Sequence, residues 1–195
     1  MEFIFATKNE GKMREIRLLT AGTGVAVRSM AEAGLDLDVT ETGDSFAENA
    51  MLKAVAVMEA SGLPALADDS GLEIDCLDKG PGVYSARYLG EDTPYAVKNR
   101  HILDLLADVP EERRAARFVS AVAAAFPDGR RLTAAGVMEG LIARAPAGEN
   151  GFGYDPIFYV PGEGMTAAQL PLDRKNAISH RGKALRAMLA QLEAQ

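Results

Sequence analysis

Thiols are almost missing from this chain. Its 195 residues include one cysteine, Cys76, so no intrachain disulfide can hold the fold together and the cytosol is the default compartment. Long apolar runs are missing too: no window approaches the roughly 18 consecutive apolar residues that a membrane-spanning helix needs. The opening Met1-Glu2-Phe3-Ile4-Phe5 lacks the basic start and apolar core of a secretory signal, so a cytoplasmic protein without a membrane partner is expected. Positive charge is in deficit. Twenty-one Lys and Arg residues face 28 Asp and Glu, a net charge of −7, which argues against a nucleic acid partner. A small phosphorylated ligand stays open, because binding one needs only a few local cations, a helix N-terminus and a metal ion. The chain has no repeat, no low-complexity tract, no linker and no GxxxxGKS/T phosphate loop.

What is present reads as a globular α/β protein. Apolar residues make up 48% and charged residues 25%, and the length suits one domain with a sizeable core. Phe3-Ile4-Phe5-Ala6 is expected as a buried strand, followed by a helix through Met13, Ile16 and Leu19. Val25-Ala26-Val27 is a second strand. Ser45-Phe46-Ala47-Glu48 fits a capping box opening a helix that is apolar nearly all round and so expected to be buried. Leu63 to Leu66 and Leu72 to Leu77 read as two strands joined by a tight turn at Ser70-Gly71. Thr93-Pro94 opens another helix, with His101 on its surface, and Glu111-Glu112-Arg113-Arg114 reads as a solvated charge run. The alanines from Ala121 to Ala125 favour helix, but Asp128-Gly129 between two apolar runs signals a β-hairpin. Ile178, Leu185, Met188, Leu189 and Leu192 mark a C-terminal helix. Strands alternating with helices argue for α/β layering.

Against that frame several polar groups stand out. Asp68 and Asp69 are adjacent carboxylates; alone they read first as a solvated turn and only second as a cation site. Thr7-Lys8-Asn9-Glu10-Gly11-Lys12, between strand and helix, suits a phosphate at the helix N-terminus, or is an ordinary βα connection. Glu48, Asn49 and Lys53 form a narrow polar stripe on an apolar helix; capping accounts for Glu48, and Lys53 is either exposed or functional. Gly148 to Pro156 carries three glycines in six residues with Phe152 and Tyr154 between them, a mobile loop or a close approach to a flat base. Lys175, His180 and Arg181 cluster at the start of the last helix.

Together these segments resemble a known family. Thr7 to Lys12, Glu41-Thr42-Gly43, Phe46 to Ala50, Lys53-Ala54, Ala67 to Leu72, Pro81 to Tyr88, Gly151 to Phe158 and Ile178 to Gly182 follow in the order and spacing of the non-canonical purine NTP pyrophosphatases, which act on inosine and xanthosine triphosphates. The resemblance covers almost the whole chain. It implies a single domain over residues 1–195, with a central mixed, elongated β-sheet flanked by helices and an active-site cleft between two lobes. It implies a homodimer and a Mg²⁺-dependent hydrolase that cuts ITP, dITP and XTP to the monophosphate and pyrophosphate, clearing deaminated purines from the nucleotide pool. By the same resemblance Thr7, Lys8, Asn9, Glu10, Gly11 and Lys12 hold the phosphates, and Glu41 with Asp69 binds the metal. Asp69 and Lys53 are catalytic, Asp69 as the base, and Ser70 touches substrate. Phe152, Gly153, Tyr154, Asp155, Lys175, His180 and Arg181 frame the nucleoside, with Asp68 and Glu48 in support. Asp173-Arg174 before Lys175 departs from the pattern, which places an acidic residue immediately before the lysine. Two other readings remain: a related pyrophosphatase for modified pyrimidine or canonical dNTPs, and a catalytically silent nucleotide-binding regulator.

Overall fold

The computed structural model describes residues 1–194. Among the described residues seven strands form one mixed sheet: β1 (Glu2–Phe5), β2 (Ala26–Ser29), β3 (Ala65–Ile74), β4 (Ala115–Ala125), β5 (Arg131–Ile142), β6 (Phe158–Val160) and β7 (Met165–Thr166). Their order across it is β2-β1-β3-β4-β5-β6-β7. β1 runs parallel to β2 and β3, while β6 is antiparallel to β5 and β7. The helices are α1 (Glu10–Thr20), α2 (Phe46–Ser61), α3 (Tyr95–Leu105), α4 (Leu172–Ile178) and α5 (His180–Glu193). No helix among the described residues is long and apolar enough to cross a membrane.

The chain divides into two compact units. The first comprises Met1–Ser70, Ser120–Gly136 and the segment from His180 onward. Its core joins Phe3, Phe5 and Leu66 to Ile16 of α1 and Leu185 and Met188 of α5. Phe3 meets Phe126 edge to face, 5.7 Å between centroids. The second comprises Gly71–Val119 and Val137–Ser179, around Leu72, Ile102, Phe118, Ile157 and Phe158.

Four local expectations change. β3 runs unbroken from Ala65 to Ile74, with no turn at Ser70-Gly71. Strand pairing and buried partners for its polar side chains outweigh the turn preference of Asp, Ser and Gly. Arg114 is not solvated: its buried guanidinium donates to the carbonyls of Ile142 (2.8 Å), Leu106 (2.5 Å) and Ala143 (2.7 Å). Thr93 does not cap α3; its hydroxyl donates to the Leu89 carbonyl, and Pro94 occupies the cap position. α2 is buried on one face only. Leu52 is 39% exposed, and an open apolar groove of about 610 Å³ runs past Met51, Leu52 and Val55. The alanine run lies in β4, because tertiary burial overrides its helix propensity.

Candidate active site

In the first unit the polar groups gather around β3. Successive strand residues point to opposite faces, so Asp68 and Asp69 enter different surroundings. Asp68 lies in a closed ion network. Its carboxylate accepts from Lys12 Nζ (3.0 Å), Arg181 Nε (3.1 Å) and the Ser70 hydroxyl (2.8 Å). Arg181, at the start of α5, also pairs with Glu15 of α1. Ser70 Oγ is 3.1 Å from Ser120 Oγ of β4. Asp68 is wholly buried. Burial opposes its ionisation, but Lys12, Arg181 and Lys53 outweigh it and hold the carboxyl far below the usual range. For Lys12 the balance reverses: burial, reinforced by Arg181 and Lys53, lowers its pKa despite Asp68.

Asp69 is different. Oδ1 lies 3.4 Å from Lys53 Nζ, which also meets Glu41 Oε1 at 2.5 Å. Oδ2 is buried with no hydrogen-bond partner. Burial, with like charge from Glu41 and Asp68, raises the Asp69 pKa against the pull of Lys53 and Lys12. Burial lowers the Lys53 pKa, but Asp69, Asp68 and Glu41 prevail and raise it, so Lys53 is a firmly held cation. A bare, buried carboxylate oxygen beside a second carboxylate suits a hard cation, and Mg²⁺ characteristically takes one or two carboxylates and keeps its remaining waters. Among the described residues no cluster of three or more His, Cys, Asp or Glu side chains forms a denser metal nest.

The loop before α1 is ordered by its own side chains. Thr7 Oγ1 accepts from the Asn9 amide (3.1 Å), and Asn9 Oδ1 caps α1 by accepting from the Lys12 amide (3.0 Å). Glu10 and Gly11 form the first turn, where the helix dipole favours an anion. Lys8 does not join Lys12; it is exposed and pairs with Asp36 (2.9 Å) and Asp38 (2.8 Å). Glu48 closes the capping box by accepting from the amides of Asp44 and Ser45. His180 is buried at the first turn of α5.

The second unit holds the remaining candidates. Asp155 Oδ2 accepts from the Phe152 amide (2.8 Å) and Lys175 Nζ (2.7 Å). The ammonium of Lys175 also stands 5.0 Å from the Phe152 ring centroid. Tyr154 is buried and donates its hydroxyl to Ser85 O (2.7 Å), so it props the loop and offers no free ring face. Burial, with Tyr95 and Tyr88 nearby, raises its pKa well beyond the ordinary phenol value.

Sequence reasoning missed two members, Glu15 and Ser120, and gave Asn49 no role beyond the polar stripe. Glu15 follows Lys12 by three residues, the spacing of one helix face, and that spacing was a usable signal. Ser120 lies among small apolar residues and gives none. Asn49, fully buried, accepts from the Gly43 amide (2.8 Å) and so pins the turn that carries Glu41.

Comparison with known proteins adds independent findings. A family model described as the Ham1 family matches residues 3–191. A Desulforamulus reducens protein described as dITP/XTP pyrophosphatase is 49% identical over 186 residues, covering 95% of this chain and 92% of its own. A Thermus thermophilus protein of the same description is 48% identical, covering 97% of this chain and 90% of its own. Among solved structures, a HAM1 protein from Coxiella burnetii superposes with a TM-score of 0.90 at 41% identity, over the whole of both chains. The Staphylococcus aureus Ham1 protein gives 0.88 at 40%, covering 100% of this chain and 99% of its own.

Proposed function

The chain belongs to the Ham1 family, and from that premise we propose that it hydrolyses non-canonical purine nucleoside triphosphates to the monophosphate and pyrophosphate. The substrates are ITP, dITP and XTP, and the role is to keep deaminated purines out of DNA and RNA. Relatives named for dITP and XTP support the substrate class. The observation that carries the reading is Asp69, a buried carboxylate with a raised pKa, one bare oxygen, and Lys53 and Glu41 beside it.

In this reading Glu41 and Asp69 hold Mg²⁺. The ion, when bound, adds positive charge at the phosphates and makes nearby water easier to deprotonate. Asp69 accepts the proton of the attacking water, the base role that the family resemblance gives it. Lys53 keeps its charge and faces the negative charge that develops as the phosphoanhydride breaks. Thr7, Lys8, Asn9, Glu10, Gly11 and Lys12 serve the phosphates through the α1 N-terminus and two ammonium groups. Lys8 must leave Asp36 and Asp38 to take part. Asp68 and Glu15 orient Lys12 and Arg181, Ser70 contacts substrate, and Glu48 secures the start of α2. By the family resemblance Phe152, Gly153, Asp155, Lys175, His180 and Arg181 serve the nucleoside, with Tyr154 as a prop. A 6-oxo purine presents an acceptor where adenine presents a donor, so donors such as Lys175 reject ATP. A homodimer in the cytoplasm completes the proposal, and light scattering checks the dimer.

The test is a pyrophosphate-release panel over ITP, dITP, XTP, ATP and dUTP, with and without Mg²⁺. Preference for the first three, dependent on the metal, is the expected outcome. Preference for ATP or dUTP, or binding without turnover, overturns the proposal.

A further inference from the structure

The Gly151–Asp155 loop, proposed above to serve the base, must be held still in order to discriminate. Gly151 and Gly153 have φ of +75° and +69°, a region other residues rarely adopt, and glycine loses the most freedom on ordering. Asp155 closes the loop from inside and Tyr154 ties it to Ser85. A third anchor comes from α3. Asn99 Nδ2 donates to Gly153 O (3.1 Å), and the Tyr95 ring meets Tyr154 edge-on, 5.2 Å between centroids at 89°. A Cβ on Gly153 would lie 3.6 Å from the Tyr95 ring. Tyr95 and Asn99 are four residues apart and share one helix face. α3 is itself fastened at its far end by Arg114, which joins the carbonyls of Leu106 and Ile142.

Packing alone does not explain an asparagine here. Asn99 is 5% exposed, and Ile102, also buried on α3, is apolar. Asn99 Oδ1 is buried with no partner, an unfavourable arrangement that an aliphatic side chain avoids. What asparagine adds is the bond to the Gly153 carbonyl. That bond fixes the peptide plane between Gly153 and Tyr154 before any ligand arrives.

We infer that Asn99, backed by Tyr95, is a positioning residue that sets the Gly151–Asp155 loop and with it the discrimination between 6-oxo and 6-amino purines. The inference rests on the proposed base-reading role of that loop. A loop ordered in advance binds its ligand with less loss of freedom, so the effect belongs in KM rather than kcat.

The experiment compares wild type, Asn99→Leu and the near-isosteric Asn99→Asp on XTP, ITP and ATP. For Asn99→Leu, KM for XTP and ITP is expected to rise about 10- to 100-fold, as misplacement of a binding element does, with kcat nearly unchanged. KM for ATP barely moves, so the preference over ATP narrows by the same factor. Asn99→Asp lacks the donor and gives the same pattern, and it provides the reading if Asn99→Leu does not fold. Unchanged KM and preference in a folded variant overturn the inference, as does an equal loss of kcat on all three substrates, the mark of a structural defect. A wild type without 6-oxo preference removes the base-reading role and this inference together. A selective wild type with an unaltered variant removes the inference alone.

Discussion

Asp68 and Asp69 are neighbours in sequence and opposites in electrostatics. Asp68 is stabilised in its charged form by Lys12, Arg181 and Lys53, whereas Asp69 is pushed toward its neutral form by burial, Glu41 and Asp68. Their removal is therefore expected to separate stability from activity. Asp68→Asn takes the carboxylate from Lys12 and one of two from the buried Arg181, and breaking a buried ion pair from one side costs about 3–5 kcal/mol. For a chain of this length that is a fall in Tm of roughly 10 °C, measurable by calorimetry. The sign of its pH dependence follows from the depressed pKa. Stability from Asp68 is complete above the unfolded value of 3.8 and is lost as pH falls through the lower folded value. Acid melting curves should therefore be flatter for Asp68→Asn than for wild type. Asp69→Asn behaves in the opposite way. It relieves a carboxylate that the fold disfavours at neutral pH, so with metal chelated its Tm matches or exceeds that of wild type. Turnover falls at least ~10²-fold, as loss of a general base does, while titration calorimetry in excess Mg²⁺, which Glu41 and the phosphates can still hold, detects nucleotide binding. Full activity in Asp69→Asn would rule out the assigned base.

At the scale of elements, α5 owes its position to a missing side chain. A Cβ on Gly136 of β5 would lie 2.2 Å from His180 O and 2.5 Å from Ala184 N, and backbone atoms have little room to yield. Gly136→Ala is expected to shift the first turn of α5, which carries His180 and Arg181. The predicted result is a loss of about 1–3 kcal/mol and a fall in kcat/KM, while Gly162→Ala, with nothing within 4 Å, leaves both unchanged. None of this could be read from the sequence, because a glycine in a strand does not reveal what approaches it. The elements themselves were largely legible. Apolar period, the Ser45 capping box and the Asp128-Gly129 turn mark α1, α2 and the β4–β5 hairpin through local chemistry alone. Local chemistry misled where distant partners decide. Asp68 to Gly71 has the composition of a turn, yet Lys12 and Arg181 hold the Asp68 carboxylate, Lys53 meets one oxygen of Asp69, and the strand continues. Arg114 sits in a charge run, yet it fastens carbonyls remote in sequence. The candidate site was legible as residue types in order, through the family resemblance. The pairing of Glu15 with Arg181 and the hold of Asn49 on Gly43 depend on contacts that no spacing encodes.

For the molecule as a whole, a net charge of −7 stands against a substrate that carries about four negative charges. The local balance does not resolve this. Around β3 the cations Lys12, Lys53 and Arg181 face Glu15, Glu41, Asp68 and Asp69, three positive charges against four negative, or −1 with every group ionised. Lys8 does not tip the balance, being matched by Asp36 and Asp38. A triphosphate entering such a corner needs positive charge from outside the chain, which the proposed divalent cation would supply. Binding itself, and not only chemistry, should therefore require metal. An ITP analogue with a non-hydrolysable α,β bridge, at 100 times its Kd, stabilises a folded protein by about 2.7 kcal/mol. At roughly 2–4 °C per kcal/mol, Tm should rise by about 5–10 °C with Mg²⁺ present. The rise should vanish with a chelator and return when Mg²⁺ is restored in excess. Equal stabilisation with and without Mg²⁺ would mean that the cations of the chain suffice for the phosphates, and Glu41 with Asp69 would then need another explanation.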